Sequence, residues 1–384
     1  VNKMTVYVAY ASFILFVLLL FLVNAYFLIS LNLDKRQDVR VEEKKEQLKA
    51  AYKNILEDKE KILASKELLK KSLDRKTNIE AFYYATKEYQ AKTSHPEELL
   101  ALLEETIDIN KILKSGIVRK EYKESYALYL LAEFHLSNHQ TGIFALSALT
   151  HHSLHVRNNA LNVINKNRDI TFFMDAVEII NSKRFYFNDK TITDFFDNYQ
   201  GNQNEMHQLI YEKMDTYNLN LRKNIMNHFI NVNEDHPAIK DKMLDLLQQT
   251  TDKEMIISTL RYFNKIVDQR VKADVLKSME SPDWEVRATS ARVIRQYPGQ
   301  DTVQMLKKGL TDVNYFVRYN SAESFLNLVD SELVLKEVIE NEDRFARDTL
   351  LYFMNTKGLL SLQEYEDLLE ENNKNKSREE VIMV

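Results

Sequence analysis

The chain has 384 residues with only six glycines and four prolines, a formal net charge of −5 and no cysteine. β-Sandwiches, barrels and doubly wound nucleotide-binding folds draw on Gly and Pro for their turns, so this composition favours long helices joined by short polar loops. The missing thiols exclude disulfides, thiolate metal sites and a cysteine nucleophile, and the acidic balance gives no support for a nucleic-acid binder. Hydrophobic residues at 45% suffice for a sizeable core, and the length suits one long or two ordinary domains.

Thr5 to Leu31 carries no charge. As a helix rising about 1.5 Å per residue it spans roughly 40 Å, more than a hydrocarbon core of about 30 Å. Tyr7, Tyr10 and Tyr26 lie near its ends, where interfacial aromatics are favoured. The apolar part of a cleaved signal peptide is about 7–15 residues long and is followed by small residues. This run is longer and ends in Tyr26-Phe27-Leu28-Ile29, so residues 5–31 read as an uncleaved transmembrane helix. Lys3 precedes it, and Lys35, Arg36, Arg40, Lys44, Lys45 and Lys49 follow it. Positive residues are retained in the cytoplasm. The expected topology is therefore single-pass in the cell membrane, N-terminus outside and everything after Leu31 inside.

Residues 34–92 form a charged segment without Gly or Pro, read as a helical stalk. Val41, Leu48, Ile55, Ile62 and Leu69 recur every seven residues, but the companion positions Lys45, Tyr52, Lys59 and Lys66 are mostly charged. A coiled coil needs both rows apolar. A long amphipathic helix leaning a narrow stripe on the protein or a partner is the favoured reading, with a dimeric coil as the second. Pro96 suits a first helical turn with Ser94 or Thr93 as the cap. That helix is expected to run through Leu113 and stop at Gly116. Another, from Lys120 to Leu136, would pair with it, so that residues 96–150 cap one end of a helical stack.

The region after Thr150 is self-similar. Glu285-Val286-Arg287-Ala288-Thr289-Ser290-Ala291 opens one helix, and 31 residues on Phe316-Val317-Arg318-Tyr319-Asn320-Ser321-Ala322 opens another. Val156-Arg157, Leu221-Arg222 and Ala346-Arg347 fall in phase, and 254–263 does so without the arginine. Second helices are expected at 172–181, 206–214, 237–247, 271–279, 303–310 and 332–339. This pattern resembles HEAT repeats of the short kind, with an Asp-turn-Val-Arg-x-x-Ala signature, over about Thr150 to Gly358. The resemblance implies an all-α chain whose residues 151–362 form a right-handed α-solenoid of about six helix pairs. The acidic and polar residues 363–384 would then form a tail. Each pair is too small to bury its apolar face alone, and stacking makes one core. The signature valine is expected to point inward, Ala291 and Ala322 to let helices approach, and the arginines to form a ladder with acidic residues of the same or adjoining turns. Val156, Arg157, Leu221, Arg222, Val286, Arg287, Ala291, Val317, Arg318, Ala322 and Arg347 thus read as structural.

Little in the sequence carries chemistry. His151, His152 and His155 are spaced to share a helix face but sit in a turn, and solvated turn histidines are the favoured reading over metal ligands. Some HEAT-like enzymes hold iron through His-Glu pairs, and no His-Glu dipeptide occurs here. Others are DNA glycosylases with a basic concave face. Trp284, the single tryptophan, is expected to pack over the adjacent turn. Walker A, G-x-G-x-x-G and G-x-S-x-G motifs are absent. Phe172, Phe173, Phe185, Tyr186, Phe187, Phe195, Phe196 and Tyr199 read mainly as core. No catalytic, metal, cofactor or small-molecule site emerges. The expected function is non-enzymatic: a membrane-anchored cytosolic scaffold for a protein partner, guessed from architecture to be an envelope or polysaccharide-assembly enzyme. Its partner surface is expected as a broad area on the inner helices of the stack, with no residues assigned to it. The competing class is a HEAT-like enzyme or nucleic-acid binder acting through its concave face.

Overall fold

The computed structural model describes residues 3–73, 76–109, 123–136, 138–367 and 370. All regular structure among these residues is helical. The chain divides into two compact units: Val1–Tyr186 with Tyr199–Met206, and Phe187–Asn198 with His207–Val384.

In the first unit, α1 (Lys3–Leu56) contains the apolar run and continues into the charged segment. Along the apolar run no side chain in the most hydrophobic window is covered by protein. The C-terminal half of α1 packs on α3 (Lys76–Gln90), with α2 (Ile62–Lys71) between them in sequence. The charged segment is thus folded back on itself and is not one extended stalk. Leu48, Tyr52 and Ile55 of α1 are buried with Phe82, Ala85 and Tyr89 of α3. The positions that break the apolar heptad find polar partners across this contact. Lys45 Nζ lies 2.8 Å from Glu88 Oε1. Tyr52 bonds Thr86 Oγ1 at 2.6 Å, and because that hydroxyl already donates to the Phe82 carbonyl at 2.7 Å, the tyrosine is the donor. The reversal after Leu56 uses Lys59 (φ 52°) and Lys61 (φ 48°) in the left-handed region.

Next come α4 (Pro96–Thr106) and α5 (Lys123–Glu133). Pro96 opens α4, but the cap residue is His95 and neither Ser94 nor Thr93 caps it; the Thr93 hydroxyl accepts from the His95 amide instead. The expected continuation to Leu113 and Gly116 lies outside the described residues. The unit closes with α6 (His139–Ala148), α7 (Leu154–Asn167) and α8 (Ile170–Asn181), α7 packing on α5 and α6. Gly142 lets α6 approach α8: a Cβ there would stand 2.2 Å from the Phe172 ring.

The second unit is a stack of helix pairs. Its first helices are α9 (Asp189–Asp197), α11 (Leu219–Val232), α13 (Lys253–Lys265), α15 (Trp284–Val293), α17 (Tyr315–Leu328) and α19 (Arg344–Thr356). Between them lie α10 (Gln203–Lys213, which straddles the division between units), α12 (Pro237–Gln249), α14 (Lys272–Ser278), α16 (Gln300–Leu310) and α18 (Ser331–Glu340). Each first helix packs along the next, whereas no second helix packs broadly on another among the described residues. Small residues permit the close inner contact. Ala288, Ala291, Ser321, Ala322 and Ser324 are buried. Ser324 donates to the Ala291 carbonyl at 2.7 Å, and Asn320 to the Ala288 carbonyl at 2.8 Å. Val156, Leu221, Val286, Val317 and Ala346 are all buried as well. Past α19, residues 362–367 are helical, opened by a reciprocal Ser361–Glu364 capping box. The remainder of the acidic tail, apart from Glu370, lies outside the described residues.

The signature arginines act mainly on backbone. Arg157 Nη1 donates to the carbonyls of His151 and His152 at 2.7 and 2.9 Å, and its Nη2 to that of Tyr186 at 2.9 Å. Arg287 Nη1 repeats this on Ser281 and Pro282, and Arg318 Nη1 on Asp312 and Val313. Arg222 Nε donates to Tyr217 O at 2.8 Å. The expected ladder of arginine–acid pairs is therefore replaced by carbonyl clamps, because the turn before each first helix presents carbonyls that no helix satisfies. Arg287 also meets an acid, its Nε and Nη2 spanning Asp312 at 2.8 and 3.0 Å.

Burial opposes ionisation of Asp312, yet the Arg287 guanidinium and the Asn314 amide outweigh it and hold the carboxyl below its ordinary value. A depressed carboxyl pKa contributes stability above the unfolded value, about 3.9, that is lost as pH falls through the folded one. Arg287→Ala should cost about 2–4 kcal/mol at neutral pH, since it strands a part-buried carboxylate and two carbonyls. The gap to the parent, measured by denaturant melts, should narrow below about pH 4. A gap that stays constant through that range would show that the ion pair is not its source.

Candidate protein-binding groove

The close packing of the first helices leaves their outward edges facing an open groove of about 1000 Å³ in the second unit, lined by α9, α11, α13, α15 and α17. The groove therefore lies on the first helices. Inner helices packed edge to edge while outer ones splay give a concave inner side, and that side belongs to the helices carrying the Val-Arg signature. The signature residues themselves point into the stack or the turns, and none of the eleven lines the groove.

The groove walls are built by helical spacing. Asp189, Glu254 and Glu285 occupy N-terminal turns, whereas Arg261, Lys265 and Arg292 stand in the C-terminal halves of their helices. This order suits the helix dipoles, which favour anions at the start and cations at the end. Along α13 and α15 this sets acids at one margin and bases at the other, whereas α9 adds Lys190 near its start and Asp194 in its later half. Several of these charges are engaged. Asp189 meets Lys223 at 3.2 Å and Glu285 meets Lys253 at 3.0 Å. Lys265 donates to the Ile230 carbonyl at 2.8 Å, and Arg292 to Asn320 Oδ1 at 3.3 Å. Hydrogen bonding and charge from Lys253 help hold the Glu285 carboxyl below its ordinary value, after its own backbone N–H. Arg261 and Glu254, both exposed, make no side-chain bond among the described residues. Asn227, Asn231 and Asn264 add amides, each able to donate and accept.

Trp284 and Phe316 stack at one end of the groove, ring centroids 5.4 Å apart at 21°. They remain 39% and 54% exposed, so Trp284 both packs over the neighbouring repeat and presents a free edge. The aromatic surface continues along α17 and α19 through Tyr315, Tyr319 and Tyr352. Arg318 lies 5.1 Å from the ring centre of Phe345.

The other sequence candidates fall elsewhere. His151, His152 and His155 sit around the start of α7: His151 accepts from the Ser153 amide at 3.0 Å and lies 3.6 Å from Glu124, a partner distant in sequence. Among the described residues no group of three His, Asp or Glu side chains is arranged to hold a metal. Phe172, Phe173, Phe187, Phe195, Phe196 and Tyr199 are buried, Phe185 is half-buried, and Tyr186 is exposed. The sequence did hold a signal for the groove: paired polar residues four apart on successive first helices, Lys190/Asp194, Asn227/Asn231 and Arg261/Lys265.

No family model matches the chain, and no curated protein matches it. Among known structures it is similar to a chain of a homology model of the full-length AP-3 complex in an intermediate open conformation. The identity is 16% and the TM-score 0.41, over 82% of this chain and 59% of that one. It is also similar to an engineered protein of known crystal structure, at 14% identity and a TM-score of 0.35, over 80% of this chain and 98% of that one.

Proposed function

We propose that this protein is a membrane-tethered scaffold of short HEAT-like repeats that holds a polypeptide segment of a partner protein in the groove on its first helices. The observation that carries this reading is the groove's lining. Both signs of charge, side-chain amides and an exposed aromatic stack are the surface that a polypeptide's mixed side chains and backbone can satisfy. A phosphate backbone would call for a basic surplus instead, and here Arg261, Lys265 and Arg292 are offset by Asp189, Glu254 and Glu285. Exposed Trp and Arg also dominate binding energy where they occur. In this reading the protein acts by binding, and catalysis belongs to the partner; an envelope or polysaccharide-assembly enzyme of the membrane remains the suggested class.

The tether is the apolar run of α1, whose uncovered side chains suit lipid better than water. The cations that follow it, Lys35, Arg36 and Arg40 first among them, favour a cytoplasmic position for all that comes after. Tethering would raise the effective concentration of the groove near membrane-bound partners without adding contacts.

Capture of partner proteins from detergent-solubilised membranes tests the groove. Arg261→Glu and Trp284→Ala should each weaken capture by about tenfold or more, while Lys277→Glu on α14, outside the groove, should leave it unchanged. Isosteric Glu254→Gln should preserve the cellular phenotype. Equal capture by all variants would contradict the binding site, and loss of phenotype in Glu254→Gln with stability and capture intact would contradict the scaffold role. For topology, a cysteine introduced at Lys277 should resist an impermeant thiol reagent in intact cells and react after lysis. Ready reaction in intact cells would place the repeats outside.

A further inference from the structure

Four titratable side chains form a continuous line inside the second unit. Asp197 ends α9, His207 lies in α10, His228 in α11, and Glu234 in the turn after α11. Asp197 Oδ1 is 2.6 Å from His228 Nδ1. His228 Nε2 is 3.0 Å from His207 Nε2, and His207 Nδ1 meets Glu234 Oε2. The outer carboxylate oxygens are also held. Asp197 Oδ2 accepts from Asn231 at 2.7 Å, and Glu234 Oε1 from the His236 amide at 2.9 Å. His228 is fully buried and His207 nearly so, flanked by Phe196 and Phe229.

Proton counting decides the state of this line. Three contacts in series join four groups, and each contact holds one proton. Two neutral rings bring only two protons, which serve the two carboxylates through Nδ1–H; the two Nε2 lone pairs would then face each other at 3.0 Å. Two imidazoliums bring four, and two Nε2–H groups would collide. Only three protons complete all three bonds. We propose that His207 and His228 share this third proton as a half-protonated pair, forming a pH-sensitive clasp that joins α9, α10 and α11.

Burial pulls His228 below the usual imidazole range, opposed by its bond to Asp197, and in the proposed line it is the ring that stays neutral. Its Nδ1–H donates to Asp197 and its Nε2 accepts. His207 then carries both protons, donating from Nε2 to His228 and from Nδ1 to Glu234. The other groups near the line leave this count unchanged. On α13, Tyr262 donates to the Glu234 carbonyl and Lys265 to that of Ile230. Asp235 and His236 follow in the turn, the latter contributing its amide.

The sign of the pH effect follows from linkage. In the unfolded chain both rings titrate near 6.5. By the proton count, the folded pair favours the singly protonated state over both the neutral and the doubly protonated ones. Stability from the retained proton is lost as pH rises through the pair's upper macroscopic pKa. Stability from the refused proton is lost as pH falls through its lower one. The clasp is complete in the window between. It also bears on the groove, because Asn231, which holds Asp197, lines it together with Thr193 and Asp194 of α9. Protonation of both rings in acid would set two Nε2–H groups against each other and loosen α10 from α11 beside that end of the groove. The clasp goes beyond the scaffold reading and does not depend on it.

The test uses the full chain in detergent micelles with ¹⁵N-labelled histidine, its nine rings assigned with His207→Gln and His228→Gln variants. At pH 6.5 the two rings should show three protonated nitrogens out of four, and should titrate in two steps lying on either side of 6.5 and separated by more than about two pH units. Two or four protonated nitrogens at that pH, or a single ordinary step for both rings, would overturn the proposal. Should either variant fail to fold, the two buried rings are still identified in the parent by their coupled titration, and the nitrogen count decides. Where the variants fold, the melting-temperature gap to the parent should be widest near pH 6.5 and shrink on both sides; a gap independent of pH would overturn the clasp.

Discussion

A guanidinium that turns back onto two carbonyls of the preceding turn is the contact on which the stack depends. Arg157, Arg287 and Arg318 all make it, at the same positions five and six residues upstream. A chain with so few glycines and prolines has to fix its turns by side chains. It does so from both directions: Asn or Asp caps the amides of α6, α8, α9, α11, α13, α17 and α19, and arginine collects the carbonyls. Where the arginine fixes the turn, as before α15 and α17, the small residues on the inner helices meet along their length.

The parts of this fold that are periodic were legible in the sequence, and the parts that rest on single contacts were not. The recurring apolar-Arg dipeptide marks the starts of α7, α11, α15, α17 and α19, because each apolar residue there answers the same packing demand. The fold-back of the charged segment left no such mark. It turns at Lys59 and Lys61, residues that rarely adopt left-handed backbone, where a reader looks for Gly or Asn. Lys45 and Tyr52 looked like failed core positions because their partners, Glu88 and Thr86, lie on α3. The arginines were legible as structural, but the preference for carbonyls over acids depends on turn geometry that spacing does not reveal.

The groove and the clasp were hidden for different reasons. Which helices face inward follows from how closely the small residues let them pack, a tertiary contact that the repeat spacing alone does not reveal. Its polar residues also pass for an ordinary solvated face until the helices are set side by side. The clasp joins residues from α9, α10, α11 and a turn, and none of its four members neighbours another in sequence. His228 stands on α11, which also lines the groove, so the proposed joint ties the proposed binding surface to the outer helix α10.

The central claim is that the first helices present the partner surface. Site-specific photo-crosslinking in living cells tests it most directly, with the photoreactive residue at Arg261 inside the groove or at Lys277 outside it. The account predicts a discrete crosslinked product with a membrane-fraction protein from position 261 and none from 277. Equal products from both positions, or a product from 277 alone, would contradict it.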